Sequence, residues 1–192
     1  SITVLAKDGT KLATYGDLHG QMVDLKKLPP YVVEALLSIE DRRFYSHFGV
    51  DVLGLLRAIW VNYRAGHVVQ GGSTITQQLA KILLGNEHDR TFTNKLDEFL
   101  GTFALELHYT KNEILVMYEN VAYLGNQAQG FAEASIVYFG KPIENLTDIE
   151  LLSLASTLAS PSERNPWKKA NAGATNTLAE QFDIATSTRA TT

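Results

Sequence analysis

Apolar residues recur along most of this chain at the three- and four-residue spacing of helices that bury one face. Val32, Leu36 and Ile39 set the phase of a first helix, which runs into Glu40-Asp41. Asp51 is placed to cap a second, carrying Leu55, Ile59 and Tyr63 and ending at Gly66. Ser73 or Thr74 opens a third, with Ile75, Leu79 and Ile82 on one face and Gly85 as its stop. Thr93 is placed to cap a fourth bearing Leu96, Leu100, Phe103 and Leu107. Thr110-x-x-Glu113 and Thr147-x-x-Glu150 spell capping boxes. The first precedes Ile114, Leu115 and Tyr118; the second precedes a Leu- and Ala-rich helix (Leu151, Leu152, Leu154, Leu158) that stops before Pro161. Between them, Phe131 to Phe139 reads as a short apolar helix ending at Gly140-Lys141-Pro142. Only the opening breaks the period. Ile2, Val4 and Leu5 precede Asp8-Gly9, and Leu12 and Tyr15 follow, which predicts two short strands joined by a tight turn. Such a pair must lean on something larger. From about Asn171 the chain turns rich in Ala, Thr and Asn, and residues 183–192 are expected to fray. The fold class is mainly α with a short N-terminal β-hairpin.

Composition narrows the function. A chain of 192 residues predicts one domain, and 45% hydrophobic against 20% charged residues is enough apolar surface for a core, which excludes a disordered or collagenous chain. The formal charge of −4 argues against a general nucleic-acid binder. With no cysteine there is no thiolate zinc site, disulfide or thiol nucleophile. No apolar run approaches the roughly 18 residues of a membrane span. The first residues, Ser1-Ile2-Thr3-Val4, read as mid-fold, so the chain is expected to be a segment of a longer one.

Three polar stretches sit on helices whose other faces are apolar. In Glu40-Asp41-Arg42-Arg43-Phe44-Tyr45-Ser46-His47-Phe48-Gly49, an acid pair ends an apolar helix, where a carboxylate opposes the helix dipole. Glu40, at the rim of a core, has the setting of a general acid or base. The same residues also fit a solvated helix end paired with Arg42 and Arg43. In Gly71-Gly72-Ser73-Thr74-Ile75-Thr76-Gln77-Gln78-Leu79-Ala80-Lys81, two glycines lead into a capped helix N-terminus that offers N–H groups to an anion. Thr74, Gln78 and Lys81 line the side opposite the apolar face, which suits a sugar or a pyrophosphate; an ordinary amphipathic helix with a good cap reads the same way. It is not a Walker loop, because the glycine spacing and the lysine position differ. Asn94-Lys95-Leu96-Asp97-Glu98 turns Lys95 and Glu98 away from Leu96 and Leu100, which taken alone is a surface ion pair. The histidines (His19, His47, His67, His88, His108) show no metal-ligand spacing.

Glu40-Asp41-x-x-Phe44-x-x-His47-x-Gly49 and Gly72-Ser73-Thr74-Ile75-Thr76-Gln77-Gln78-Leu79-x-Lys81 resemble the first two motifs of the peptidoglycan glycosyltransferase family. This is the lysozyme-like transglycosylase domain of class A penicillin-binding proteins and monofunctional transglycosylases. Lys111-x-x-Ile114-Leu115-x-x-Tyr118-x-Asn120 resembles the fourth motif, and Tyr123-Leu124-Gly125, Tyr138-Phe139-Gly140-Lys141 and Asn165-Pro166 continue the similarity. The resemblance implies a lysozyme-like helical domain over 1–182, with 30–50 and 70–182 as a core lobe, 51–69 as a membrane-facing jaw and 183–192 as a tail. It implies Glu40 as the general base that deprotonates the acceptor sugar on lipid II. Undecaprenyl pyrophosphate leaves with inversion, and Glu98 organises that departure. Asp41, Phe44, His47, Ser73, Thr74, Gln77, Gln78, Lys81, Lys95 and Lys111 would form the substrate-binding set. Fixed cations and N–H donors aimed at a developing diphosphate charge stabilise the transition state more than the ground state.

No protein metal ligands are assigned and no cofactor is required; a divalent cation (Mg or Mn) beside Glu98 is the one the family resemblance allows. The implied partners are lipid II, the growing glycan chain, a transpeptidase domain in a longer chain, and a membrane surface met by 52–69. In that segment Leu53, Leu55, Leu56, Ile59, Trp60 and Val61 accompany Arg57 and Arg64, the mix of an interfacial helix or of a plain core helix. The implied location is the outer face of the bacterial cytoplasmic membrane.

The chain departs from the family pattern at Asn94 (for Arg), Ile82 (for Asn), Glu119 (in the Tyr118-Glu119-Asn120 stretch), and at Ala174 and Thr175 (for paired arginines). An amide in place of a guanidinium removes a bidentate, always-charged partner. These departures point to a weakened grip on the leaving group, and keep open a lipid II-binding or scaffolding domain of the same fold. A glycoside hydrolase with Glu40 as acid is a third reading.

Overall fold

The structure is a computed structural model that describes residues 2–5, 11–15, 22–24, 27–69, 71–85 and 92–184, with 2–5, 11–15 and 92–93 described by backbone alone. Among these residues the fold is mainly helical. Strands β1 (Ile2–Leu5) and β2 (Lys11–Tyr15) pair antiparallel, Ile2 opposite Tyr15, with an irregularity between Val4 and Leu5. The turn expected at Asp8-Gly9, His19, His88 and the tail from Ala185 onward lie outside the described residues.

The helices are α1 (Pro30–Glu40), α2 (Val52–Ala65), α3 (Ile75–Leu83), α4 (Phe92–His108), α5 (Lys111–Val121), α6 (Gly130–Phe139), α7 (Asp148–Thr157) and α8 (Lys169–Gln181). Most boundaries have a chemical cause. Proline at the first position of α1 forgoes an N–H that would be unpaired there. The Asp51 carboxylate accepts from Gly54 N at 3.0 Å to open α2, and Gly66, at φ 73°, closes it. Thr74 and Thr147 form full capping boxes on α3 and α7, and Thr110 and Glu113 exchange the same bonds ahead of α5. Helix α4 begins at Phe92, so Thr93, expected as its cap, is already inside the helix.

The chain divides into two compact units. The first holds 1–19 and 41–121; in it α3 packs against α4 and α5. Gly101 of α4 faces Ala80 and Leu84, where an added Cβ would sit 3.5 and 3.4 Å from them. The second unit holds 20–40 and 122–192, and its α7 packs against α1, α6 and α8. Ala35, Leu152, Ala155, Leu178 and Ala179 form its apolar centre, with Tyr31 and Ile39 on the flank. The Tyr31 hydroxyl donates to Asp148 Oδ1 at 2.6 Å; burial, then this bond, hold its pKa well above the usual phenol range.

Helix α8 arises where the sequence promised only an Ala-, Thr- and Asn-rich stretch. Its buried residues, Asn171, Thr175, Leu178 and Ala179, follow helical spacing but are half polar. The Asn171 amide donates to Arg164 O at 2.6 Å and to Ser153 O and Ser156 Oγ at 2.9 Å. Asn171 Oδ1 accepts from Ser153 Oγ and Thr175 Oγ1. Buried polar groups that bond one another carry little desolvation penalty.

Two helices turn their apolar residues outward. In α2 only Ala58 is buried, while Leu53, Leu56, Ile59 and Trp60 are more than half exposed and Tyr63 is 81% exposed. The core-helix reading of this segment is therefore replaced. In α4 the face marked by Leu96, Leu100 and Leu107 is exposed as well, with Leu107 at 72%, and Phe99 lies beside it.

Candidate active site

Around Asp41 the first unit ties three segments into one knot. The Asp41 carboxylate is buried, with both oxygens 3.0 Å from His47 Nε2. Its Oδ2 also accepts from Ile75 N at 3.1 Å. Ile75 is the first residue of α3, so the anion sits at the positive end of that helix. Next to it the Thr74 hydroxyl donates to Gly49 O at 2.6 Å and accepts from Gln77 N at 3.2 Å. Gln77 Oε1 accepts in return from Thr74 N at 3.1 Å. Gly49 needs its positive φ of 77°, and a Cβ there would lie 2.6 Å from Thr102 Cγ2.

This knot corrects one expectation. The amides at the start of α3 are not an open cradle for an anion, because Ile75 N, Gln77 N and Gln78 N already donate to Asp41, Thr74 Oγ1 and Thr74 O. Asp41 is committed to His47 and Ile75 N, and Thr74 to Gly49 O and Gln77. Phe44 is buried, and the Lys111 ammonium lies 4.5 Å from its ring centroid. Lys111 also donates to Glu106 Oε1 at 2.6 Å, as does Thr76 Oγ1. Glu106 was not singled out from the sequence; a polar Thr76 on the buried side of α3 was the available sign.

Farther along α3, Gln78 accepts from the Tyr118 hydroxyl at 3.0 Å, and Lys81 follows it, half-buried; Ser73 is exposed just before the cap. On α4, Glu98 is 7% exposed and Lys95, one turn earlier, is exposed and donates to Glu98 Oε1. A carboxylate turned in and leucines turned out reverse the usual helix pattern. The surface ion pair read from spacing is thus half buried. Asn94 is half-buried on the same helix. Glu119 is 1% exposed, and the Tyr45 phenol is pushed up first by its own burial and then by the Glu119 charge. Glu40 is the half-buried last residue of α1, in the second unit.

Residues able to hold a divalent cation are not gathered anywhere among the described residues: no group of three or more His, Cys, Asp or Glu side chains converges. Glu98 already carries an ammonium partner. No step is assigned to such an ion.

Comparison with known proteins is consistent with this picture. The family model described as Transglycosylase matches residues 8–183. Penicillin-binding protein 1A of Pseudomonas aeruginosa is 40% identical over 166 residues, which is 86% of this chain and 20% of that protein. Penicillin-binding protein 1A of Aquifex aeolicus is 43% identical over 159 residues, 83% of this chain and 22% of the relative. The chain thus spans about a fifth of the length of the curated relatives it matches.

Proposed function

The chain belongs to the transglycosylase family, and from that premise we propose that it is a peptidoglycan glycosyltransferase domain that polymerises lipid II at a membrane surface. The observation that carries the reading is the reversed pattern of the first unit. Glu98 is buried beside Lys95, while α2 and α4 present leucines, Ile59 and Trp60 to the outside. A domain that keeps charge inside and apolar side chains outside suits a lipid-linked anionic substrate and the interface it sits in.

In the proposed reaction Glu40 takes the proton of the acceptor 4-hydroxyl. That oxygen forms a bond to the anomeric carbon of the growing chain. The bond from that carbon to the lipid diphosphate breaks, the diphosphate keeps the electron pair, and the centre inverts. Ser73, Gln78, Lys81 and Lys95 contact sugar and diphosphate, and Glu98 orients Lys95 toward the departing charge. Buried Asp41, Phe44 and Thr74 and half-buried His47, Gln77 and Lys111 act by fixing the loop and the start of α3. Exposed Arg57 and Arg64 of α2 suit an anionic headgroup region on the outer face of the cytoplasmic membrane. A transpeptidase domain in a longer chain fits relatives about four times this length.

The test is polymerisation of lipid II by the chain and by Glu40→Gln. Glycan strands from the parent and a loss of roughly 10²–10⁴-fold in the variant are expected; equal rates would overturn the mechanism. Asn94 favours the second reading, a binding domain of low turnover, since an amide replaces the guanidinium of the family pattern. A parent that binds lipid II without making strands, and that gains turnover with Asn94→Arg, would establish that reading instead.

A further inference from the structure

The second unit carries a surface feature that the proposed reaction does not use. Tyr123 and Gln129 form an isolated antiparallel bridge. Inside it Leu124 N donates to Ala128 O at 3.0 Å and Ala128 N to Gly125 O at 2.8 Å, closing a miniature hairpin. The two tip residues, Asn126 and Gln127, both lie in the left-handed region, at φ 53° and 64°. Such a turn favours Asn-Gly, and a glutamine in the second place carries a steric cost that glycine lacks. Strain retained where glycine would relieve it points to a side chain kept for use. Both tip amides are exposed.

The hairpin is seated firmly. Gly125 has φ 85°, and a Cβ there would lie 2.6 Å from Pro161 O and 2.9 Å from the Tyr138 hydroxyl. That hydroxyl donates to Leu124 O at 2.8 Å. Trp167 stands edge-to-face on Tyr138 with ring centroids 5.0 Å apart, yet is 62% exposed. Tyr123, 48% exposed, is near enough that after burial it is the second cause raising the Tyr138 pKa. Lys168 and Lys169 follow Trp167 and are exposed.

Exposed aromatic rings on a rigid base, with amides and ammonium groups around them, match an amphipathic sugar. Its C–H face stacks on a ring, its hydroxyl and acetamido groups bond amides, and carboxylates it bears meet lysines. We propose that Tyr123, Asn126, Gln127, Trp167 and Lys168 form a docking platform for the glycan product, a polymer of N-acetyl amino sugars bearing carboxylates. The choice of occupant rests on the glycosyltransferase reading above and on the charge match with Lys168 and Lys169.

The experiment measures calorimetric binding of two lipid-free probes, peptide-trimmed peptidoglycan strands and neutral chitohexaose. The proteins are the parent, Trp167→Ala, Gln127→Gly and Lys168→Gln. Removing an aromatic anchor is expected to weaken both probes roughly tenfold. Gln127→Gly weakens both while melting at or above the parent temperature, so a fold defect cannot explain the loss. Lys168→Gln weakens only the carboxylate-bearing strand. In polymerisation, Trp167→Ala shortens the products and leaves the rate of first-bond formation within about twofold. A parent that binds neither probe, or variants that bind like the parent, overturns the platform. Absence of first-bond formation in the parent overturns the glycosyltransferase reading instead.

Discussion

Helix α4 leaves Leu96, Leu100 and Leu107 exposed and buries Glu98 and Thr102, whereas α7 buries every residue from Leu151 to Thr157, serines included. Both sequences are leucine-rich, and their periodicity alone does not separate them. What differs is how much of each apolar face is covered by protein among the described residues. In α7 the low-dielectric side is other protein: Ala35 of α1 and Leu178 of α8. In α4 Leu96, Leu100 and Leu107 are more than half exposed among the described residues, and the buried side carries Glu98 and Thr102 beside Leu105. An apolar stripe reports where water is excluded, not what excludes it.

The sharpest way to break the contrast is at Glu98. Glu98→Gln keeps the volume and removes the buried charge. Initial rates of lipid II polymerisation should fall about 10²-fold or more, with an unchanged or higher melting temperature. At the seam of α7 with α8 the corresponding cut is Asn171→Ala, which strips the partner of Ser153, Ser156 and Arg164 O. A loss of about 2–3 kcal/mol in urea unfolding is expected, with the rate per folded molecule unchanged.

A smaller effect separates the two exteriors. The double change Leu56→Gln and Leu100→Gln should move stability by no more than about 0.5 kcal/mol. The same change should weaken co-sedimentation with anionic vesicles about tenfold. The smallest effect is at the capping boxes. Burial opposes the Glu150 anion, but the Lys141 ammonium and two Thr147 hydrogen bonds outweigh it and hold its pKa below the ordinary value. The Thr110 backbone bond, then its hydroxyl, do the same for Glu113. Since both folded-state values are depressed, their stabilisation is complete above the ordinary glutamate range and is lost as pH falls through the folded values. Thr147→Ala should therefore cost about 1 kcal/mol at neutral pH and less in acid, read from urea midpoints against pH.

Much of this was legible in the sequence because some signals are local. Thr74 with Gln77, Thr110 with Glu113 and Thr147 with Glu150 are three residues apart, and local geometry alone makes each pair meet. The family resemblance singled out Asp41, His47 and Thr74, and the fold bonds Asp41 to His47 and to the start of α3, next to Thr74. The outward face of α4 was hidden, since a period fixes a face and not its neighbour. The buried side of α8 was hidden because Asn171 and Thr175 read as loop residues until Ser153 and Ser156 complete them. Glu119 stood out only as a departure from the family pattern, and the fold shows it enclosed.

The seam between α7 and α8 has a mechanical side. Two greasy helices can slide by part of a turn with little loss, because one methyl contact replaces another. An amide held at Ser153, Ser156 and the Arg164 carbonyl has only one register, since hydrogen bonds weaken steeply with misalignment. Shear along this pair is locked, so any displacement of the segment must carry α7 and α8 together as a single rigid lever.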